Sequence, residues 1–147
     1  MTALSAAKPR DYVEPWPETF AVLPVAASTK IYEGAALTID GSGYAVNLTG
    51  ASGFIGFAMH DCDNSAGAAG AKTVKVKKTG CIVVTIGDTI ALTDHGGTIE
   101  MSDNDTFRLA ASITGCPVGV IHQVDTVGAS GTNRVQLDFQ ADSRRSL

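Results

Sequence analysis

The densest grouping of reactive side chain types in this sequence is His60-Asp61-Cys62-Asp63. Imidazole, thiol and carboxylate are all metal ligands. In a strand, however, successive side chains face opposite sides, so His60 and Cys62 oppose Asp61 and Asp63. No second set of ligands lies at a recognisable spacing. Asp61-x-Asp63-x-Ser65 has the opening of a calcium loop, but its glycine falls one place late, at Gly67, and Lys72 stands where that loop ends in glutamate. The grouping reads as a polar strand end entering a loop, and no metal is expected.

Nucleophilic catalysis needs a Cys–His or Ser–His pair whose base is oriented by a third group. His60, His95 and His122 are the available bases. No Gly-x-Ser-x-Gly occurs, and no cysteine carries a recognised flanking signature. His95, in the turn Asp94-His95-Gly96, is expected to be solvated. His60 and His122 each follow an apolar-Gly-apolar run, which suggests structural placement. Gly41-Ser42-Gly43 and Ser65–Ala71 are glycine-rich but lack Gly-x-x-x-x-Gly-Lys-Ser/Thr and open no helix, so they read as turns and not phosphate cradles. The expectation is a chain without cofactor that is not an enzyme. A small β-barrel enzyme acting through His60 and Cys62 is the weakest alternative.

Composition narrows the remaining classes. The chain has 147 residues, a length suited to one domain or one domain plus an arm. It is 44% hydrophobic and 18% charged, a balance that argues against disorder throughout. A net charge of −4 argues against sequence-independent nucleic-acid binding, which depends on neutralising phosphates. Aromatics at 6% leave little for a stacking platform. The opening MTALSAAKPRDYVEPWPETF has no basic stretch followed by an apolar one and does not read as a signal peptide. No apolar run is long enough to span a bilayer as a helix. Cys62, Cys81 and Cys116 give neither a disulfide framework nor a zinc set, and read as reduced, largely buried thiols made in a cytoplasm. The sequons at Asn47 and Asn104 then carry no meaning.

The elements follow from punctuation. Pro9, Pro15, Pro17 and Pro24 place four of the five prolines before residue 25. Proline lacks an amide donor and fixes φ, so this stretch suits neither a helix interior nor a central strand. It also holds Tyr12, Trp16 and Phe20, which a proline-spaced, extended segment cannot bury against itself. Residues 1–25 are therefore expected to form an extended arm, laid either on its own domain or on a neighbouring subunit, with a disordered tail as the remaining alternative. Residues 26–141 read as a β domain and 142–147, with Arg144 and Arg145, as a basic tail.

Within the β domain, Lys30–Ile39 and Tyr44–Leu48 flank the hairpin signal Asp40-Gly41-Ser42-Gly43. Further strands are expected at Phe54–Met59, Thr73–Lys77, Cys81–Ile86, Thr89–Leu92, Thr98–Met101, Val118–Val124 and Arg134–Phe139. Phe107–Ile113 fits a strand or a short helix. Short strands at this spacing indicate an all-β fold: a small glycine-rich barrel or sandwich, β-tulip-like, with the extended N-terminal arm. Phe54–Met59 and Pro117–Ile121 echo one another, and Gly56 and Gly119 are candidates for bulges or close strand approaches where a Cβ would clash. Lys72, Lys75, Lys77 and Lys78 read as a charged edge strand that resists unwanted pairing, or as a contact for an acidic patch on a partner.

Several of these residues resemble capsid decoration (cement, or head-stabilising) proteins of tailed bacteriophages. Ile55-Gly56-Phe57-Ala58, a small-residue loop, the strand Lys72–Lys77, then Lys78-Thr79-Gly80 and a β-branched strand are similar to the lambda-type arrangement. Val118-Gly119-Val120-Ile121 and Ile31-Tyr-Glu-Gly34-Ala-Ala-Leu37 with its following Asp-Gly turn are similar to the wider cement family. The resemblance covers roughly Ala26–Ala141. It implies a non-enzymatic virion protein, made in the bacterial host cytoplasm, that assembles as a homotrimer on the outer capsid surface. Its partners would be the major capsid protein and itself, with neither nucleic acid nor membrane involved. It would stabilise the expanded shell. The arm around Pro15-Trp16-Pro17 would order on the capsid, and Tyr12, Pro15, Trp16, Pro17, Phe20, Lys75 and Lys77 are the expected contact residues. The rival reading is a non-catalytic β-sandwich binding module, tail-associated or adhesin-like, that recognises glycans.

Overall fold

A computed structural model describes residues 3–12, 19–50, 53–110, 115–125 and 133–141. The described strands are β1 (Asp11–Tyr12), β2 (Thr19–Pro24), β3 (Thr29–Ile31), β4 (Ala36–Ile39), β5 (Ala45–Asn47), β6 (Gly56–Ala58), β7 (Cys62–Asn64), β8 (Thr73–Ile86), β9 (Thr98–Met101), β10 (Phe107–Leu109), β11 (Cys116–Val124) and β12 (Asn133–Gln140). One 3-10 turn, Leu92–Asp94, interrupts them. The fold is all-β, as expected, with the large sheet strongly curled into a half-barrel. Its ladder runs β10-β9-β11-β12-β8-β6-β4-β5, with β1 and β2 also paired to β8, while β3 and β7 form a separate pair.

β8 organises the molecule. Thr73–Lys77 and Cys81–Ile86, expected as separate strands, are one 14-residue strand. Lys78-Thr79-Gly80 does not end it because the glycine serves packing: a Cβ on Gly80 would lie 3.2 Å from the Phe139 ring opposite. Nor is β8 an edge. Val76 and Lys77 are paired to β2 and β6 together, and Ile82 and Val83 to β12 and β1. The run of lysines therefore does not guard an open sheet edge.

The core forms two clusters. The larger packs Phe54, Phe57 and Phe139 against the inward residues of β8, β9, β11 and β12. Phe57 meets Phe54 and Phe139 edge-on at 5.1 and 4.9 Å, a favoured aromatic geometry. β12 alternates cleanly, with Asn133, Val135, Leu137 and Phe139 buried. The smaller cluster gathers Val25, Ile31, Leu37, Val74 and Val76 beneath β3, β4 and the start of β8.

The two echoed glycines are close approaches. A Cβ on Gly56, whose φ is +129°, would overlap the Lys77 carbonyl oxygen. One on Gly119 would overlap the Asp138 carbonyl oxygen, where the β11–β9 register shifts. The hairpin at Asp40 also forms: its Oδ1 accepts from the Ser42 and Tyr44 amides at 2.8 and 3.0 Å. Lys30–Ile39 divides at Gly34 into β3 and β4, which join different sheets. Thr89–Leu92 is not a strand but leads into the 3-10 turn, fixed where Asp94 Oδ2 accepts from the Ala91 amide at 2.7 Å. Phe107–Ile113, open between strand and helix, begins as strand β10.

Candidate interaction surface

The described parts of the expected arm lie on the chain's own body. Residues 3–12 are held first by polar contacts: Leu4 N donates to Asn104 Oδ1 at 2.7 Å and Lys8 N to the Glu33 carbonyl at 3.0 Å. The Arg10 side chain is only 5% exposed. Its Nε donates to the Gly34 carbonyl at 2.7 Å and its terminal nitrogen pairs with Asp105 Oδ1 at 2.6 Å. The guanidinium also sits 5.2 Å from the Phe107 ring centroid and 5.7 Å from that of Phe57. β1 then pairs Asp11 with Val83 and Tyr12 with Ile82. A cavity of about 180 Å³ lies between this strap and the body, lined by charged residues including Lys8, Arg10, Asp105 and Arg134.

Pro15, Trp16 and Pro17 lie outside the described residues. The chain is described again from Thr19, where β2 runs along the first half of β8. The alternation of TFAVLP turns Phe20 and Val22 outward, at 37% and 65% exposure, and they are two of the few large apolar residues exposed among the described residues. Lys75 Nζ stands 4.3 Å from the Phe20 ring centroid and Lys77 Nζ 5.3 Å. This cation–aromatic arrangement holds the ring in place while leaving part of its face open. Phe20 and Lys75, both expected as contact residues, are thus neighbours on one surface with Val22, which the sequence reading missed although period-two alternation from Phe20 marks it.

Lys77, expected as a contact residue, is buried. It is 3% exposed, so it does not present its ammonium to a partner in this chain. Its side chain lies under Phe20 and against Gly80. Simple alternation places it outward with Lys75; the aromatic cover on β2 buries it.

The other reactive groups occupy structural roles. The Cys62 thiol lies 3.6 Å from the Thr73 carbonyl, and burial pushes its pKa up, opposite to what a nucleophile requires. His60 uses both ring nitrogens on backbone, Nδ1 toward the Asp61 carbonyl at 2.9 Å and Nε2 toward the Lys75 amide at 3.1 Å. The two are therefore not arranged as base and nucleophile. Asp63 is held below the usual carboxylate range by hydrogen bonds from the Ser65 hydroxyl and amide. Among the described residues, no group of three or more His, Cys, Asp or Glu side chains could hold a metal ion. All three cysteines are free and buried. No helix of the described residues is long and apolar enough to cross a membrane. No protein-family model matches the chain, and no curated protein matches it.

Proposed function

We propose that this chain is a structural virion protein that binds the outer face of a tailed-phage capsid and stabilises the expanded shell. The observation that carries the reading is the outward strip of β2. Phe20 and Val22 stand exposed beside the cationic Lys75, directly after the segment that bears Trp16, on a body whose buried apolar residues pack in clusters that do not include them. Contiguous exposed apolar patches rimmed by polar groups mark interaction surfaces, and Phe20 and Val22 would form part of such a patch. The curled all-β body and the residues similar to cement proteins, Ile55–Ala58 and Val118–Ile121, point the same way.

Contacts of this kind are individually modest. A homotrimer would raise them by presenting several copies at once to a repeating lattice. Trp16 is the residue of the expected contact set best suited to an anchor, since tryptophan is enriched among interface hot spots.

The test is co-sedimentation with expanded and unexpanded shells assembled from tailed-phage major capsid protein. Saturable binding to expanded shells is expected, with Val22→Glu and Trp16→Ala each weakening it at least tenfold while the isolated protein stays folded. Absence of binding to either shell would overturn the proposal. Analytical ultracentrifugation of the free protein reads the trimer separately.

A further inference from the structure

Two histidines stand in for backbone carbonyls at the ends of β-ladders, and we infer that they are acid-labile ladder caps. The β6–β8 ladder pairs Ala58 with Val76 and continues when Met59 N donates to the Lys75 carbonyl at 2.8 Å. The next acceptor should be a carbonyl for the Lys75 amide. It is instead His60 Nε2, at 3.1 Å. At the other end of the molecule, β9 pairs with β11 as far as Val120. The chain before β9 carries the ladder on: Ile121 N donates to the Gly97 carbonyl at 2.9 Å and Gly96 N to the Ile121 carbonyl at 3.0 Å. The last bond runs from the Val124 amide to His95 Nε2 at 3.1 Å.

The partners fix the protons. In each ring Nδ1 faces a carbonyl, that of Asp61 at 2.9 Å or Leu92 at 2.7 Å, so Nδ1 carries the hydrogen and donates it. Nε2 must then be bare, because the amide opposite can only donate. A proton added to Nε2 would set N–H against N–H. Each ladder bond and the protonated ring exclude one another. Both histidines are exposed, so solvent protons reach them.

Charged groups on the neighbouring elements are Glu33, Asp61, Asp63, Lys72 and Lys75 around His60, and Asp94, Asp125, His122 and Arg134 around His95. Ladder opening at His60 would remove one tie between the 59–61 turn and β8 while the Met59 bond stays, and opening at His95 would remove one tie to β11 while the Gly96 and Gly97 bonds stay. Histidine is the side chain that changes charge in mildly acidic water.

Amide hydrogen exchange between pH 7.5 and 5, normalised to the intrinsic rate at each pH, tests this on the full chain. Protection of the Lys75 and Val124 amides is expected to fall by up to about tenfold per pH unit once the imidazoles protonate. Ile82, in the middle of β8, should keep its protection. His60→Gln and His95→Gln supply a carbonyl that accepts but does not titrate. Each should abolish the pH dependence at its own amide and leave the other amide unchanged. Protection that stays flat with pH in the unmodified chain, or a fall at Lys75 that survives His60→Gln, would overturn the inference.

Discussion

Replacing Arg10 with alanine tests whether the N-terminal strap is part of the fold. The guanidinium is buried and makes three kinds of contact: an ion pair with Asp105 at 2.6 Å, a hydrogen bond to the Gly34 carbonyl at 2.7 Å, and packing over Phe57 and Phe107. Breaking a buried ion pair by removing one partner typically costs about 3–5 kcal/mol, because the other charge is left stranded. Asp105 is not fully stranded here. Its side chain is 15% exposed and its other oxygen is reached by Lys8 Nζ at 3.1 Å. That lowers the electrostatic loss, while loss of the ring contacts adds about 0.5–1 kcal/mol. The net expectation is a destabilisation of about 2–4 kcal/mol, or roughly 5–15 °C in Tm for a domain of this size.

Urea unfolding of Arg10→Ala, Asp105→Asn and the double variant measures this as a cycle. Arg10→Lys should fall between the unmodified chain and Arg10→Ala, since a lysine keeps the charge but loses the fork that holds Gly34 and Asp105 together. A loss below about 0.5 kcal/mol in Arg10→Ala, or a loss unchanged when Asp105 is already asparagine, would refute the reasoning. It would mean that residues 3–12 do not hold the body through this pair.

Gly119→Ala should destabilise by about 2–4 kcal/mol in the same assay, because the new methyl meets the Asp138 backbone and not a movable side chain, whereas Gly41→Ala, in open space, should change stability by less than about 0.5 kcal/mol. Glu100 is 2% exposed and joins Arg108 Nε at 2.7 Å to the Gly115 amide at 3.0 Å; because Arg108 is 31% exposed and stays partly hydrated, Glu100→Ala should cost about 1.5–3 kcal/mol by thermal unfolding. Burial raises the Asp138 pKa, with His122 opposing the shift, so its ionised form is disfavoured in the fold. Stability from this group should therefore fall as pH rises through the folded pKa, and Asp138→Asn should stabilise the chain above that pKa and lose its advantage in acid.

The β texture was legible because its signals are local. Asp40-Gly41-Ser42-Gly43 specified a hairpin through one carboxylate, and the alternation of β12 is written in Val135, Leu137 and Phe139. The close approaches at Gly56 and Gly119 were visible as an echo, since only a missing Cβ lets two backbones meet so tightly. Long-range features were not legible. Nothing near Arg10 shows that it will be buried, because the carboxylate that pairs with it lies 95 residues away. Lys77 is buried by Phe20 from a strand that periodicity in β8 cannot see. His60 and His122 share a sequence context, but it is His60 and His95 whose Nε2 accepts a backbone amide, and that depends on what each ring reaches in space.

The strap and the β2 strip pull in different directions, and the difference locates where binding can occur. Arg10 and its contacts tie the first described residues to the body, although most of that stretch remains exposed. Val22, at 65% exposure, gains little from the chain's own fold, and leaving such a side chain in water forgoes most of the roughly 1.5–3 kcal/mol that burial would supply. A protein that acts by surface should show this division: stability concentrated where the chain meets itself, and unclaimed apolar area beside a fixed charge. Polar variants at Val22 should therefore leave unfolding unchanged and, under the proposed role, act on shell binding alone, whereas variants at Arg10 should act on unfolding first.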